Sequence, residues 1–371
     1  MRAETPAREP APAVEAVERV LRAAAARGAS DVHLDPCPDG VRVRFRVDGV
    51  LETSETLPAA LRDALVGRLK ALSALLAYRT DLPQEGRIPA ARSPIGAEVR
   101  VATFPALHGE RVALRLSAGA SGAPTLDALG LPDVVRESLT AALAQRDGAV
   151  LVTGPAGSGK TTTLYACMRH VAEGDEGRSV VSIEDPVERA VPGIVQTEVD
   201  AAAGLDFARA LRSLLRQDPD VLLVGEIRDR ETAAIALEAG LTGHLVASSV
   251  HAGTAPAVFA RLLEMEVEPF VLTTAVRGVL AQRLLRRTCG ACGGAGCDAC
   301  GATGYRGRVV AAQWTPVGVR LRDAILARGD GTRLATAAEE DGGASLLAGA
   351  RELVRAGHTT QSEVLRVLGR I

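Results

Sequence analysis

Apolar and polar positions along this chain follow two periods, and the change of period marks out the elements. From Ala13 to Arg27 the apolar spacing is helical and stops at Gly28. Asp31–Asp35 and Val41–Gly49 alternate every second residue, which predicts two strands, the second closing on an Asp48-Gly49 turn. A helix is expected from Pro58 to Tyr78, and strands at Ala97–Thr103 and Glu110–Leu116. Residues 14–116 therefore read as a small α+β domain. Residues 1–13, with Pro6, Pro10 and Pro12, read as a disordered tail, and Ser117–Pro124 as a flexible linker.

From residue 125 to 371 apolar strand runs alternate with helical spacing. Strands are expected at Ala149–Val152, Ser179–Ile183, Val221–Val224 and His244–Val250. Helices are expected at Asp206–Arg216, Arg230–Ala239, Ala255–Met265 and Phe270–Leu285. That order predicts an α/β domain with a parallel sheet covered by helices. A cysteine-rich stretch at 288–307 interrupts it, and 316–371 read as a helical tail.

Composition narrows the function. The 371 residues suggest about two domains. Hydrophobic residues make up 47% but aromatics only 2%, so the core must be Leu, Val and Ala. A net charge of −2 offers no global basic footprint for nucleic acid, and few aromatics are present to stack bases. No apolar run reaches membrane-spanning length and no signal pattern opens the chain, so a soluble, cytoplasmic protein is expected.

Candidate chemistry starts at Gly154-Pro155-Ala156-Gly157-Ser158-Gly159-Lys160-Thr161, which fits the phosphate-binding loop G-x-x-x-x-G-K-[ST]. A strand pattern leads in, and Thr162 onward reads as a helix. Backbone N–H groups of such a loop turn inward at phosphate oxygens, and the helix N-terminus adds partial positive charge. Lys160 can reach the β- and γ-phosphates of ATP, and the Thr161 hydroxyl can hold Mg²⁺. Lys160 is one of only two lysines in the chain. Hydrolysis also needs an acid to orient water. Glu184 and Glu226 end predicted strands, where ligands of such sheets gather. Gly225 occupies the usual Mg²⁺-acid position, so Glu226 is expected to reach metal through water and Glu184 to be the likelier base. His244 and His251 bracket a strand and are candidates for contacting phosphate or the acids.

Four segments, Gly154–Ala166, Ser182–Glu188, Leu214–Arg230 and Ala239–His251, resemble in order the Walker A, Asp box, Walker B and His box of the secretion ATPase superfamily. Ala29–Pro36, Val43–Leu51, Leu82–Ile88 and Val99–Leu116 resemble its smaller domain. The nearest branch is the type II secretion and type IV pilus assembly ATPases. The resemblance implies a RecA-like ATPase domain behind a PAS-like small domain, a homo-hexameric ring, and ATP sites shared between the two lobes. It also implies an inner-membrane platform partner, with the ring peripheral at the inner face of the cytoplasmic membrane through partners only. Glu184 and Glu226 become the Asp-box and Walker B acids, and His244 and His251 the His-box residues. Arg87 and Arg100 become candidate arginine fingers, and Arg212, Arg216, Arg228 and Arg261 further candidates at the site or ring interface. The family's N-terminal docking domain is expected to be absent or reduced to the tail. Ala252–Ala255 departs from the family's usual run, and past Arg308 the match fades. The rival readings are a nucleic-acid-acting RecA-like ATPase, a scaffold that binds nucleotide without turnover, and a pilus-retraction motor.

Cys289-x₂-Cys292-x₄-Cys297-x₂-Cys300 offers four thiolates, enough for one tetrahedral Zn²⁺. The assembly branch has two such pairs separated by a much longer segment. The four-residue spacer, rich in Gly, can turn tightly enough for one structural zinc, which is the expected outcome; the alternatives are a strained or empty site, or a zinc shared between subunits. Cys37 and Cys167 read as ordinary small apolar residues.

Overall fold

The computed structural model describes residues 12–117, 122–174, 177–343 and 345–369. The expected tail up to residue 11 and linker residues 118–121 lie outside these. The chain divides into two compact units, Met1–Ser121 and Gly122–Ile371.

In the first unit, α1 (Pro12–Ala26) buries Ala13, Ala16, Val17, Val20, Leu21 and Ala24, one stripe at helical spacing. The strands are β1 (Ala29–Cys37), β2 (Gly40–Val47), β3 (Val50–Pro58), β4 (Gln84–Ile88), β5 (Val99–Ala106) and β6 (Gly109–Leu116). They form one antiparallel sheet in the order β3-β2-β1-β6-β5-β4. Asp48 and Gly49 both carry positive φ, the backbone a two-residue hairpin turn with matching twist requires. The helix expected from Pro58 to Tyr78 is shorter: α2 spans Arg62–Leu72. Pro58 belongs to β3, and Ala74 in the left-handed region lets Leu75 N–H bond back to Lys70 O, closing the helix end. Leu65 and Leu69 of α2 join Val17, Val20 and Leu21 over the sheet positions Val32, Val43, Phe45, Val112 and Leu114.

In the second unit, the strands are β7 (Gly148–Thr153), β8 (Val180–Glu184), β9 (Ile194–Glu198), β10 (Val221–Ile227), β11 (Leu245–Val250), β12 (Val276–Thr288) and β13 (Tyr305–Pro316). Their order is β13-β12-β7-β11-β10-β8-β9, parallel throughout except for the β12–β13 pair. Strands β7 and β11 are buried at every position, so their apolar runs are continuous rather than alternating. One face is covered by α3 (Asp133–Leu143) and α4 (Lys160–Ala172). The other carries α5 (Phe207–Leu214), α6 (Arg230–Leu241), α7 (Ala255–Glu264), α8 (Pro269–Ala275), α9 (Val319–Leu326) and α10 (Gly331–Glu340). The tail continues with α11 (Leu346–Arg355) and α12 (Gln361–Leu368), which pack on Leu285 and Ala311.

The helix expected over Phe270–Leu285 is corrected here. It ends at Ala275, and Val276 begins a 13-residue strand. That strand is paired to β7 on one side and β13 on the other, and ladder bonds on both edges override a helical reading of the apolar spacing. Among the described residues no helix is long and apolar enough to cross a membrane.

Candidate active site

All the parallel strands of the second unit point their C-terminal ends toward the same edge, and the phosphate loop turns there, between β7 and α4. Gly154 allows the chain to leave the strand. A Cβ at this position would stand 2.4 Å from Ser158 Oγ and 2.6 Å from the Gln282 carbonyl oxygen. Ser158 Oγ is buried without a partner, a polar atom left available inside the loop. The Lys160 ammonium donates to Gly154 O at 2.8 Å and Pro155 O at 3.1 Å. Its pKa is lowered, first by burial, with the Glu226 carboxylate opposing and Arg283 adding to the shift. Lys160 is thus a partly desolvated cation facing a carboxylate.

Glu226 lies near the end of β10 with its side chain 16% exposed. It accepts from Arg228 Nε at 2.9 Å and stands 3.2 Å from His251 Nε2. His251 follows β11, and Thr153, the last residue of β7, fixes the chain on both sides of it. Thr153 Oγ1 donates to Val250 O at 2.8 Å and Ala252 O at 3.0 Å. Lysine, carboxylate and imidazole therefore converge at one edge of the sheet because three neighbouring strands end there.

With that geometry in view, the sequence profile of the family described as "Type II/IV secretion system protein" matches residues 7–366. This chain belongs to that family. The type II secretion system protein HxcR of Pseudomonas aeruginosa is 41% identical over 365 residues, 96% of this chain and 77% of HxcR. The type IV pilus assembly ATPase PilB of Thermus thermophilus is 38% identical over 376 residues, 94% of this chain but 42% of PilB. The chain thus spans less than half of that relative. The crystal structure of the pilus retraction motor PilT with bound ADP shares 25% identity and a TM-score of 0.66, covering 94% of this chain and 96% of PilT. The Legionella pneumophila ATPase DotB, at 23% identity and a TM-score of 0.71 over 97% of this chain and 96% of DotB, agrees in fold.

The remaining residues expected at the site of this secretion-family chain fall in different places. His244 precedes β11, at the strand end remote from the loop. Six residues of strand put it roughly 20 Å from His251. Its Nδ1 lies 3.2 Å from Ala239 O, where it caps the end of α6. The expectation that His244 contacts phosphate or the acids is corrected on that ground. Glu184 is 3% exposed. It accepts from Tyr165 Oη, from Ser182 Oγ at 2.6 Å and from Gln196 Nε2 at 2.9 Å. Burial and then the bond to Glu184 raise the Tyr165 pKa, so the phenol stays a donor. Three donors and burial leave Glu184 little room for water, whereas Glu226 is the more open of the two acids.

Arg228 also reaches Asp185 at 3.5 Å, Arg212 pairs with Glu231, and Arg261 stands 3.9 Å from Glu264. In the first unit, Arg87 of β4 sits opposite Arg100 of β5, and Arg100 opposite Arg115 of β6, so the two candidate fingers share one face of the sheet. Three residues close to the loop were not anticipated: Thr153, Gln282 and Arg283. The sequence signal for the last two was a polar pair inside the apolar run Val279–Leu285.

The four clustered cysteines join β12 to β13. Their Sγ atoms lie within 4.8 Å of one another, with pairs at 3.8 and 3.9 Å. Tetrahedral zinc with Zn–S near 2.3 Å needs sulfurs about 3.8 Å apart. Backbone N–H groups of Gly296, Cys297 and Gly304 point at Sγ atoms, which favours a thiolate at Cys300, while burial, foremost, raises the neighbouring Cys297 thiol. The bond from the Cys297 N–H, foremost, draws the Cys300 thiol down to about 6. Gly293, Gly294 and Gly296, all at positive φ, turn the short spacer so that one chain brings all four sulfurs together. The donor set fits a single zinc.

Proposed function

We propose that this chain is an ATP-hydrolysing motor subunit that powers assembly of a type II secretion pseudopilus or a type IV pilus. The observation that carries this reading is the convergence of Lys160, Glu226 and His251 where β7, β10 and β11 end. Names of the relatives in pilus assembly and type II secretion support the direction of work.

In this reading the loop N–H groups and the N-terminus of α4 bind the β- and γ-phosphates, and Lys160 leaves its loop carbonyls for phosphate oxygens. Thr161 would hold Mg²⁺, with Glu226 near it. Bound there, Mg²⁺ would neutralise charge on the β- and γ-oxygens. Glu226 orients the attacking water and takes its proton, and His251 holds the Glu226 carboxylate in place. Glu184 braces α4 against β8 through Tyr165. Arg87 and Arg100 serve as arginine fingers, spreading positive charge over the γ-phosphate as its bond to the bridging oxygen breaks. The subunits form a homo-hexamer at the inner face of the cytoplasmic membrane, bound through an inner-membrane platform protein. Nucleotide turnover moves the small unit against the large one, and that motion drives the platform. A structural zinc at Cys289, Cys292, Cys297 and Cys300 holds the β12–β13 connection.

Phosphate release from purified oligomer tests the reading, with Lys160→Ala alongside. Turnover is expected in the parent and loss of at least about a hundredfold in the variant. Equal rates in the two would overturn it.

A further inference from the structure

The ladder between β7 and β12 ends at Thr153 opposite Ala281. Strand β12 runs on, so Gln282 and Arg283 pass alongside the phosphate loop. The Gln282 side chain is 1% exposed and grips the loop from both ends of its amide. Nε2 donates to Ser158 O at 2.7 Å, and Oε1 accepts from Thr163 Oγ1 at 3.0 Å. The backbone oxygen of the same residue presses on Gly154. Arg283 Nη1 donates to that oxygen at 2.9 Å, and Nη2 donates to Gly253 O at 2.6 Å, two residues past His251.

Arg283 is half-buried, and burial lowers its pKa. Among the described residues no carboxylate lies within ion-pair distance of it, unlike Arg212, Arg228, Arg277, Arg286 and Arg320. Its hydrogen-bond partners among the described residues are two neutral carbonyls, and a guanidinium has five N–H donors. A half-buried cation without a counter-charge is unfavourable unless an anion completes its shell. This one stands beside a loop shaped for phosphates and close enough to Lys160 to oppose its protonation.

We propose that Arg283 is a second cation of the phosphate site, supplied by the same chain, which binds the phosphate chain of the nucleotide while tying the loop behind His251 to the root of the phosphate loop. Gln282 is the positioning residue that sets the height of the loop on β12. The inference rests on the nucleotide reading above and extends it to a segment outside the four ordered motifs.

The test is titration of the full-length oligomer with a fluorescent ATP analogue at low and high salt, with Arg283→Gln and Arg283→Lys, and a melting temperature for each. Arg283→Gln is expected to weaken binding about tenfold, the size of one charge-assisted hydrogen bond, and to flatten the salt dependence. Arg283→Lys keeps the charge but not the planar fork, so it should recover the salt dependence and part of the affinity. Two results would overturn the inference: parent-like affinity in Arg283→Gln, or a salt dependence in Arg283→Gln as steep as in the parent. A parent protein that binds no nucleotide would instead refute the motor reading itself.

Discussion

Glu363 holds the C-terminal helix α12 to the strand that carries Gln282 and Arg283, and removing its charge should loosen that helix. Its side chain is fully buried. It accepts from the Arg286 backbone N–H at 3.0 Å, from Arg286 Nε at 3.0 Å and Nη2 at 2.9 Å, and from Arg366 Nη2 at 2.5 Å. Arg286 in turn stacks on Tyr305, 4.1 Å from the ring centroid, and Tyr305 Oη lies 2.6 Å from Thr360 Oγ1. Burial pushes the Glu363 carboxyl up, but the bonds from Arg366 and Arg286 outweigh it and hold the pKa at about 2, from an ordinary 4.5. A drop of that size corresponds to about 3 kcal/mol favouring the docked helix. Because the folded pKa is depressed, this contribution is complete above pH 4.5 and is lost as pH falls toward 2. Glu363→Gln should therefore cut amide-exchange protection across α12 by roughly a hundredfold at pH 7. The parent should lose protection on acidification below pH 4.5, and the variant should show a flatter profile. Equal protection of α12 in the two proteins at pH 7 would refute the argument.

Two further outcomes follow from the site. Glu226→Gln should lower kcat by about 10²–10⁴-fold with nucleotide affinity little changed, while Glu184→Gln should chiefly lower the melting temperature. Steady-state phosphate release beside thermal unfolding separates the two, and a larger kcat loss in Glu184→Gln would restore it as the base. The purified chain should carry about one zinc by elemental analysis, and Cys289→Ser with Cys300→Ser should abolish it. Full zinc occupancy in that double variant would remove the cysteines as its ligands.

The phosphate loop was readable because its chemistry is local. Glycines, lysine and threonine must be contiguous, and the strand before them and the helix after them declare themselves by period. The α/β class was readable for a related reason: strands buried on both faces produce unbroken apolar runs such as Val221–Val224. Strands β3, β4, β9 and β13 were not anticipated. They are edge or near-edge strands with mixed exposure, where Glu52, Glu55, Glu85 and Gln196 dilute the alternation.

The acids show what a strand-end carboxylate leaves unsaid. Glu184 and Glu226 have the same address in the sequence, each closing an apolar strand. What separates them is the neighbour each strand acquires on folding. Beside Glu184 stand Tyr165, Ser182 and Gln196, which saturate it; beside Glu226 stand Arg228, His251 and, through space, Lys160. His244 and His251 divide the same way, six residues of strand apart and at opposite edges of the sheet. The segment Val276–Thr288 was hardest to read, for one cause with two effects. Its apolar spacing suits a helix as well as a buried strand, and only pairing with β7 and β13 decides between them. Read as a helix, the segment has no ladder to β7 and nothing that carries Gln282 and Arg283 past the loop. As a strand, consecutive residues face opposite sides of the sheet: Gln282 turns to α4 and the loop, and Arg283 to the chain behind His251. The same misreading that hid β12 therefore hid the two site residues it carries.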